Sequence, residues 1–332
     1  MKILTVIGTR PQYIKIKPFC DYLKKEGFNN VLVDTSQHYS KNMSESFIED
    51  FDLFISYKLK IKNKSPIQFI SNCIIELEKV IKEEKPNIIF VVGDTNSTLA
   101  AALTANKMNI KLAHLEAGVR CGDMNRPEET NRVLTDILSN FHFISNANDK
   151  KNVFCPIYLG DLEYILLNQL ENEGKLKELN YNNAFLMTIH RHENTNKERL
   201  EEIFSKCSEF NKPIIFLMHH RTEKIIKENK IIIPDNIYIY PPRSYLEMLN
   251  TLIQCQGIIT DSGGVIKISP YFGKKCLIPL ETTEWSEVVS EGYGKLGLDF
   301  SHFNEPKIKR DRNFYYNRNG LERVKDILNE IN

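Results

Sequence analysis

Short apolar runs punctuate the chain at residues 3–7, 31–33, 88–92, 112–115 and 141–144, and again at 185–188, 214–218, 237–240, 257–260 and 276–278. They are rich in β-branched and aromatic residues, and helix-length amphipathic stretches separate them. Strands alternating with helices of this length build parallel sheets through right-handed crossovers. Ten such strands are too many for one comfortable open sheet. The polar segment 168–183, rich in Glu, Asn and Lys, supplies a break. The pattern therefore predicts an α/β protein of two Rossmann-like domains, 1–167 and 168–318, facing each other across a cleft. Residues 322–331 read as a terminal helix, and the segment 319–332 is expected to return to the first domain. There is no internal repeat and no long low-complexity tract.

Composition narrows the function classes. Of 332 residues, 42% are hydrophobic and 26% charged, as in a globular domain pair with sizeable cores. The 44 basic and 43 acidic residues leave a net charge of +1, so no overall field draws the chain to nucleic acid or to a membrane surface. Seven cysteines are dispersed without paired metal-ligand spacing, which suits a reducing compartment. The first apolar run is too short for a signal peptide or a membrane span, and a cytoplasmic location is expected.

The candidate chemistry sits where strands end. His114-Leu115-Glu116-Ala117-Gly118 follows one strand and leads into a loop with Pro127-Glu128-Glu129 and Arg132; Val92-Gly93-Asp94-Thr95 ends the preceding strand. Ligands of open α/β sheets bind outside the carboxyl ends of the strands, so Asp94, Glu116 and Glu128 are expected to share one site. Crowded carboxylates raise one another's pKa, which acid–base chemistry at a C–H or C–O bond requires. Taken singly, Asp94 reads as a helix N-cap and Glu128 as a first-turn acid favoured by the helix dipole. Taken together in successive loops, they point to chemistry.

Other loops add anion-binding features. Gly8-Thr9-Arg10-Pro11 turns the first strand into a helix and sets Arg10 at its N-terminus. Thr260-Asp261-Ser262-Gly263-Gly264 offers backbone N–H groups and a hydroxyl to a phosphate, as the start of a helix running towards Phe272. The alternative is a tightly packed Asp/Ser cap. His190-Arg191-His192-Glu193-Asn194 and His219-His220-Arg221 follow strands of the second half; His190 is the candidate catalytic or phosphate-contacting histidine, and His219 or Arg221 is expected to reach the same cleft. Neither Gly-x-Gly-x-x-Gly nor Gly-Lys-Ser/Thr occurs, which argues against a dinucleotide cofactor and a P-loop. Metal binding is disfavoured for want of local ligand spacing, and a serine hydrolase for want of Gly-x-Ser-x-Gly.

These motifs, in this order from residue 1 to about 297, resemble those of the non-hydrolysing UDP-N-acetylglucosamine 2-epimerases. The resemblance implies two Rossmann-like domains arranged as in glycosyltransferase-B enzymes, a UDP-sugar substrate, no cofactor and a homodimer. It implies removal of the C2 proton with loss of UDP to give a 2-acetamidoglucal, then re-addition with C2 protonated from the other face. By position, Asp94, Glu116, Glu128 and His190 match catalytic residues. Arg10, Arg132, His219, Ser262, Gly263 and Gly264 match nucleotide and diphosphate contacts, and Arg243 and Tyr245 lie where the uracil would sit. Gln37 and His38 resemble a pair near the activator site of some members; a polar strand-end turn would look the same. Three departures stand out. Ile266-Lys267-Ile268 replaces Gln-x-Glu, Leu280 replaces an arginine, and Gln12 replaces a glutamate. The rival expectations are a hydrolysing 2-epimerase, an enzyme of modified UDP-acetamido sugars, a nucleotide-sugar-binding protein without catalysis, and a glycosyltransferase of the same fold.

Overall fold

The computed structural model describes residues 1–37, 51, 53–61, 65–177 and 183–331. The chain divides into two compact units, Met1–Leu167 with Tyr315–Asn332, and Asn168–Phe314. The return to the first unit thus begins at Tyr315, ahead of the boundary at 318 expected from sequence.

The first unit carries the strands β1 (Lys2–Ile7), β2 (Asn29–Asp34), β3 (Tyr57–Lys58), β4 (Ile88–Val92), β5 (Lys111–Leu115), β6 (Phe141–Ile144) and β7 (Pro156–Tyr158). They form one sheet in the order β3-β2-β1-β4-β5-β6-β7, and every neighbour pair is parallel. Leu4 lies in register with Val31 on one side and Ile89 on the other. Alternate residues therefore feed two separate layers, as the pleat requires. Leu4, Val6, Ile89 and Val91 join Phe69, Cys73, Leu77 and Ile81 of α2 (Pro66–Glu84) and Ala100, Ala101 and Ala105 of α3 (Asn96–Lys107). On the opposite face Phe90 meets Phe19 of α1 (Arg10–Lys25), with ring centroids 4.9 Å apart. The helix α2 starts where Ser65 accepts a hydrogen bond from the Gln68 N–H at 3.2 Å, with Pro66 at its first position. Helices α4 (Pro127–Leu138) and α5 (Leu162–Asn172) complete this half, and α5 crosses the boundary between the units.

The second unit repeats the scheme. Its strands are β8 (Phe185–Thr188), β9 (Ile214–Leu217), β10 (Ile237–Tyr240), β11 (Gly257–Thr260), β12 (Lys275–Ile278) and β13 (Gly294–Leu296), ordered β10-β9-β8-β11-β12-β13. Helices α6 (Lys197–Phe210), α7 (His220–Asn229), α8 (Tyr245–Gln254), α9 (Gly263–Ile268) and α10 (Ser286–Ser290) connect them. Phe185, Met187, Phe216 and Ile259 pack on Leu200, Ile203 and Phe204 of α6. Three strands, β3, β7 and β13, were not foreseen from the apolar runs. The helix opened by Gly263 ends at Ile268 instead of continuing towards Phe272.

The terminal helix α11 (Gly320–Glu330) belongs to the first unit, where Lys325 pairs with Glu26 at 2.6 Å. Its first residue lies so close to the main chain that a Cβ on Gly320 would fall 1.7 Å from the Leu159 carbonyl oxygen. Backbone cannot yield as a flexible side chain can. Gly320→Ala should therefore destabilise the protein by about 1–3 kcal/mol in a urea titration; unchanged stability would contradict this packing.

Candidate active site

Both sheets reverse their strand order at one point, between β1 and β4 in the first unit and between β8 and β11 in the second. Such switch points leave a crevice at the carboxyl ends of the strands. The loops that follow these four strands carry Gly8-Thr9-Arg10, Gly93-Asp94, His190-Arg191 and Asp261-Ser262-Gly263.

In the first unit Gly8 leaves β1 beneath two hydroxyls. A Cβ there would stand 2.1 Å from Thr35 Oγ1 and 2.3 Å from Ser97 Oγ. Gln37 closes the same corner, its Oε1 accepting from the Ser97 N–H at 3.0 Å and hydroxyl at 2.8 Å. His38 lies outside the described residues. Gln12 bolts β1 to β4. Its Oε1 accepts from the N–H groups of Gly8 (2.8 Å) and Thr9 (3.1 Å), while Nε2 donates to the Val92 carbonyl (2.7 Å). A carboxylate would face that carbonyl without a hydrogen to give, so the amide here has a local reason. Arg10 begins α1 partly buried, and that burial pushes its guanidinium pKa down.

The acidic residues occupy different environments. Glu116 is only 6% exposed and pairs with Lys15 Nζ at 2.6 Å. Its backbone is left-handed, with φ of +66°. A non-glycine residue held there costs on the order of 1 kcal/mol or more and persists only where its surroundings impose it. Asp94 pairs with Arg132 at 2.5 Å, and Arg132 turns its other nitrogen to Glu129 at 2.9 Å. The N-cap of α3 is Thr95, not Asp94, which disposes of the capping reading for that carboxylate. Glu128 lies exposed in the first turn of α4. Glu129 is buried and accepts from the N–H groups of Cys121 (3.1 Å) and Gly122 (3.0 Å). Although burial alone would raise its pKa, those N–H groups and Arg132 hold it below the ordinary value.

Lys15, Glu129, Asp136 and Arg120 did not stand out in the sequence. Lys15 had one available signal, its place in the second turn of the helix that opens at Arg10. Asp136 had none, since it looks like an ordinary acid in the last turn of α4.

In the second unit Asp261 is fully buried and organises the group around it. It accepts from the N–H groups of His190 (3.0 Å) and Arg191 (3.0 Å) and from Asn194 Nδ2 (3.0 Å), and His190 Nδ1 lies 3.1 Å away. Burial would raise its pKa, but these donors and the His190 ring outweigh it and hold the carboxyl below its usual range. Asp261 is therefore the group behind His190 and not a helix cap; the N-cap of α9 is Ser262. His190 stays partly exposed, and His219 stacks beside it with ring centroids 5.8 Å apart. Arg221 reaches the His190 carbonyl at 3.4 Å.

Arg191 pairs with Glu284 at 3.1 Å and approaches Gly263, where a Cβ would stand 3.3 Å from its guanidinium and 3.2 Å from Trp285 Nε1. Gly264 is exposed next to it. Lys267 is 1% exposed and lies over the Trp285 ring at 5.5 Å, a cation–π placement that helps a buried ammonium. Ile266, Ile268 and Leu280 are buried as well. Arg243 is held by Thr251 and stacks over Tyr240, and Tyr245 is turned inward at 2% exposure. Among the described residues no group of three or more His, Cys, Asp or Glu is arranged to hold a metal ion, and no helix is long and apolar enough to cross a membrane.

Two parallel sheets of one strand order, each with its polar loops at the switch point, define a glycosyltransferase-B-like pair of Rossmann-like units. Comparison with known proteins narrows the class. The sequence profile described as UDP-N-acetylglucosamine 2-epimerase matches residues 21–156 and 159–328. A UDP-N-acetylglucosamine 2-epimerase homolog of Methanococcus maripaludis is 37% identical over 319 residues, 89% of this chain and 88% of that protein. The UDP-2,3-diacetamido-2,3-dideoxy-D-glucuronate 2-epimerase of Pseudomonas aeruginosa is 34% identical over 88% of this chain and 87% of its own length. The crystal structure of Methanocaldococcus jannaschii UDP-GlcNAc 2-epimerase, in complex with UDP-GlcNAc and UDP, superposes with a TM-score of 0.88 at 34% identity, covering 99% of this chain and 100% of that one. The chain belongs to the UDP-N-acetylglucosamine 2-epimerase family.

The Asp261 group gives a pH prediction. A carboxyl whose folded pKa is depressed adds stability that is present above its unfolded pKa, about 3.9, and lost as pH falls through the lower folded value. Asp261→Asn should therefore be less stable than the parent by about 1–3 kcal/mol at pH 7. That gap should narrow below about pH 4. Urea titrations at the two pH values check this, and a gap independent of pH would contradict it.

Proposed function

We propose that this chain inverts C2 of a UDP-2-acetamido sugar, with UDP-N-acetylglucosamine and UDP-N-acetylmannosamine as the default pair. A carboxylate takes the C2 proton, the C–H electron pair becomes the C1–C2 double bond, and the C1–O bond to UDP breaks. The resulting 2-acetamidoglucal then accepts UDP back at C1 while a proton reaches C2 from the opposite face. A proton and not a hydride leaves C2, so no nicotinamide takes part.

The observation that carries this reading is Glu116, a buried carboxylate in a left-handed backbone and paired with Lys15 at 2.6 Å. A positioned base is what a weakly acidic C2–H needs. Glu116 and Glu128, with Asp94, handle the protons at C2. Arg132 serves this site by holding Asp94, beside its expected contact with UDP. His190, fixed by Asp261, and Arg10 assist the departing diphosphate together with the Ser262-Gly263-Gly264 turn. This reading is assembled from assignments made within each unit. Its support is the family membership and the bound UDP-GlcNAc and UDP of the Methanocaldococcus jannaschii structure. A cytoplasmic homodimer serving glycan synthesis is part of the same proposal and rests on the family resemblance.

A second reading, a substrate carrying further acetamido or uronate groups, is favoured by the 34% identity to the Pseudomonas aeruginosa enzyme. Chromatography of the products from each candidate substrate separates the two. Nucleotide sugar alone is expected; free amino sugar plus UDP would make the enzyme a hydrolysing one.

Glu116→Gln keeps the shape and removes the base. It should lower kcat by about 10²–10⁴-fold. UDP affinity, measured by calorimetry, should be retained. Full turnover, or lost UDP binding, would show that Glu116 has another role.

A further inference from the structure

Behind the carboxylates of the first unit lies a buried network that the reaction does not touch. The His114 ring is fully buried, with Nδ1 2.6 Å from Asp136 Oδ1 and Nε2 2.8 Å from the Gly93 carbonyl oxygen. Asp136 Oδ2 accepts from the Gly118 N–H at 3.1 Å and pairs with Arg120 at 2.6 Å. One ring thus ties together three stretches. These are the turn after β4 that leads into Asp94, the β5 end that holds Glu116 between His114 and Gly118, and the α4 helix that opens with Glu128.

The chemistry of the two contacts fixes what the ring must be. A carbonyl oxygen only accepts, so Nε2 carries a hydrogen. Asp136 is already engaged by a guanidinium and a backbone N–H on its other oxygen, so it too accepts, and Nδ1 carries a hydrogen as well. A ring with both nitrogens protonated is an imidazolium, and the Asp136 carboxylate balances its charge. The other titratable and charged groups around it are Arg120, His142 in register on β6, and Glu116 with its partner Lys15. The Glu116 carboxylate is near by, since a Cβ on Gly93 would stand 3.4 Å from Glu116 Oε2.

We propose that His114 is a positioning residue that works as a buried imidazolium, clamping the Gly93 carbonyl and Asp136 so that Glu116 keeps its left-handed backbone and its aim. The proposal rests on the assignment of Glu116 as an acid–base group. His114 itself touches no substrate. A neutral ring would have to release one of its two acceptors, and Gly93 or Gly118 would shift. Misplacement of a catalytic group by about 1 Å costs on the order of 10²-fold in rate.

Two measurements on the full chain test it. The first uses the parent protein, labelled with ¹⁵N-histidine, and reads the ring nitrogens by ¹⁵N–¹H correlation at neutral pH. The expected result is a ring signal with both nitrogens protonated that is absent from the spectrum of His114→Gln. A His114 ring that carries a single hydrogen at neutral pH overturns the proposal whether or not any variant folds. The second compares His114→Gln, Asp136→Asn and Glu116→Gln for kcat, KM and C2 proton exchange with UDP-N-acetylglucosamine. His114→Gln and Asp136→Asn should lower kcat by about 10–10²-fold with KM nearly unchanged. Glu116→Gln combined with His114→Gln should be no slower than Glu116→Gln alone. Full activity in His114→Gln while Glu116→Gln is inactive overturns this proposal only. Full activity in Glu116→Gln overturns the reading on which it rests.

Discussion

A buried carboxylate is tolerable only when donors surround it, and this requirement shapes both units. Asp261 has the N–H groups of two consecutive residues, an asparagine amide and a histidine ring. Asp136 has a histidine, an arginine and a glycine N–H, and Glu129 has two N–H groups and Arg132. Supplying those donors dictates where the loops turn, which is why glycines stand at 118 and 122 with positive φ. Arg132 also holds Asp94, and Asp261 in turn holds the partly exposed His190. Chemistry and architecture share one set of hydrogen bonds.

The two units solve the problem with different partners. In the first, a guanidinium bridges two carboxylates, and an ammonium sits on a third. Such pairs are strongly coupled, so loss of one member leaves an uncompensated buried charge in the other. In the second, an acid stands behind the partly exposed His190, the arrangement that orients a ring. A diphosphate leaving group suits the second environment, while a carbon acid suits the first.

Much of this fold was legible because a parallel sheet buried on both faces writes itself as runs of Ile, Val, Leu and Phe. The missed strands lack that signature. Tyr57–Lys58 has two residues, and Pro156–Tyr158 and Gly294–Leu296 sit at sheet edges where a proline, a glycine and a lysine are admissible. The stop of α9 at Ile268, by contrast, was legible in Ser269-Pro270, since a helix usually ends at or before the residue preceding a proline. Among site residues, those adjacent to glycine turns were readable. Lys15, Arg120 and Asp136 were not, because long-range pairing chose their partners and the local sequence says nothing of it. The amide of Gln12 and the Lys267–Trp285 contact became intelligible only with neighbours from other strands.

The central claim is that the bond to hydrogen at C2 breaks while the nucleotide departs. Proton NMR of the protein with UDP-N-acetylglucosamine in heavy water tests it most directly. The account predicts that the C2 proton signal of the substrate disappears through exchange with solvent while signals of UDP-N-acetylmannosamine grow. Formation of the epimer with the C2 proton retained would contradict it, as would the absence of exchange with every UDP-acetamido sugar tried.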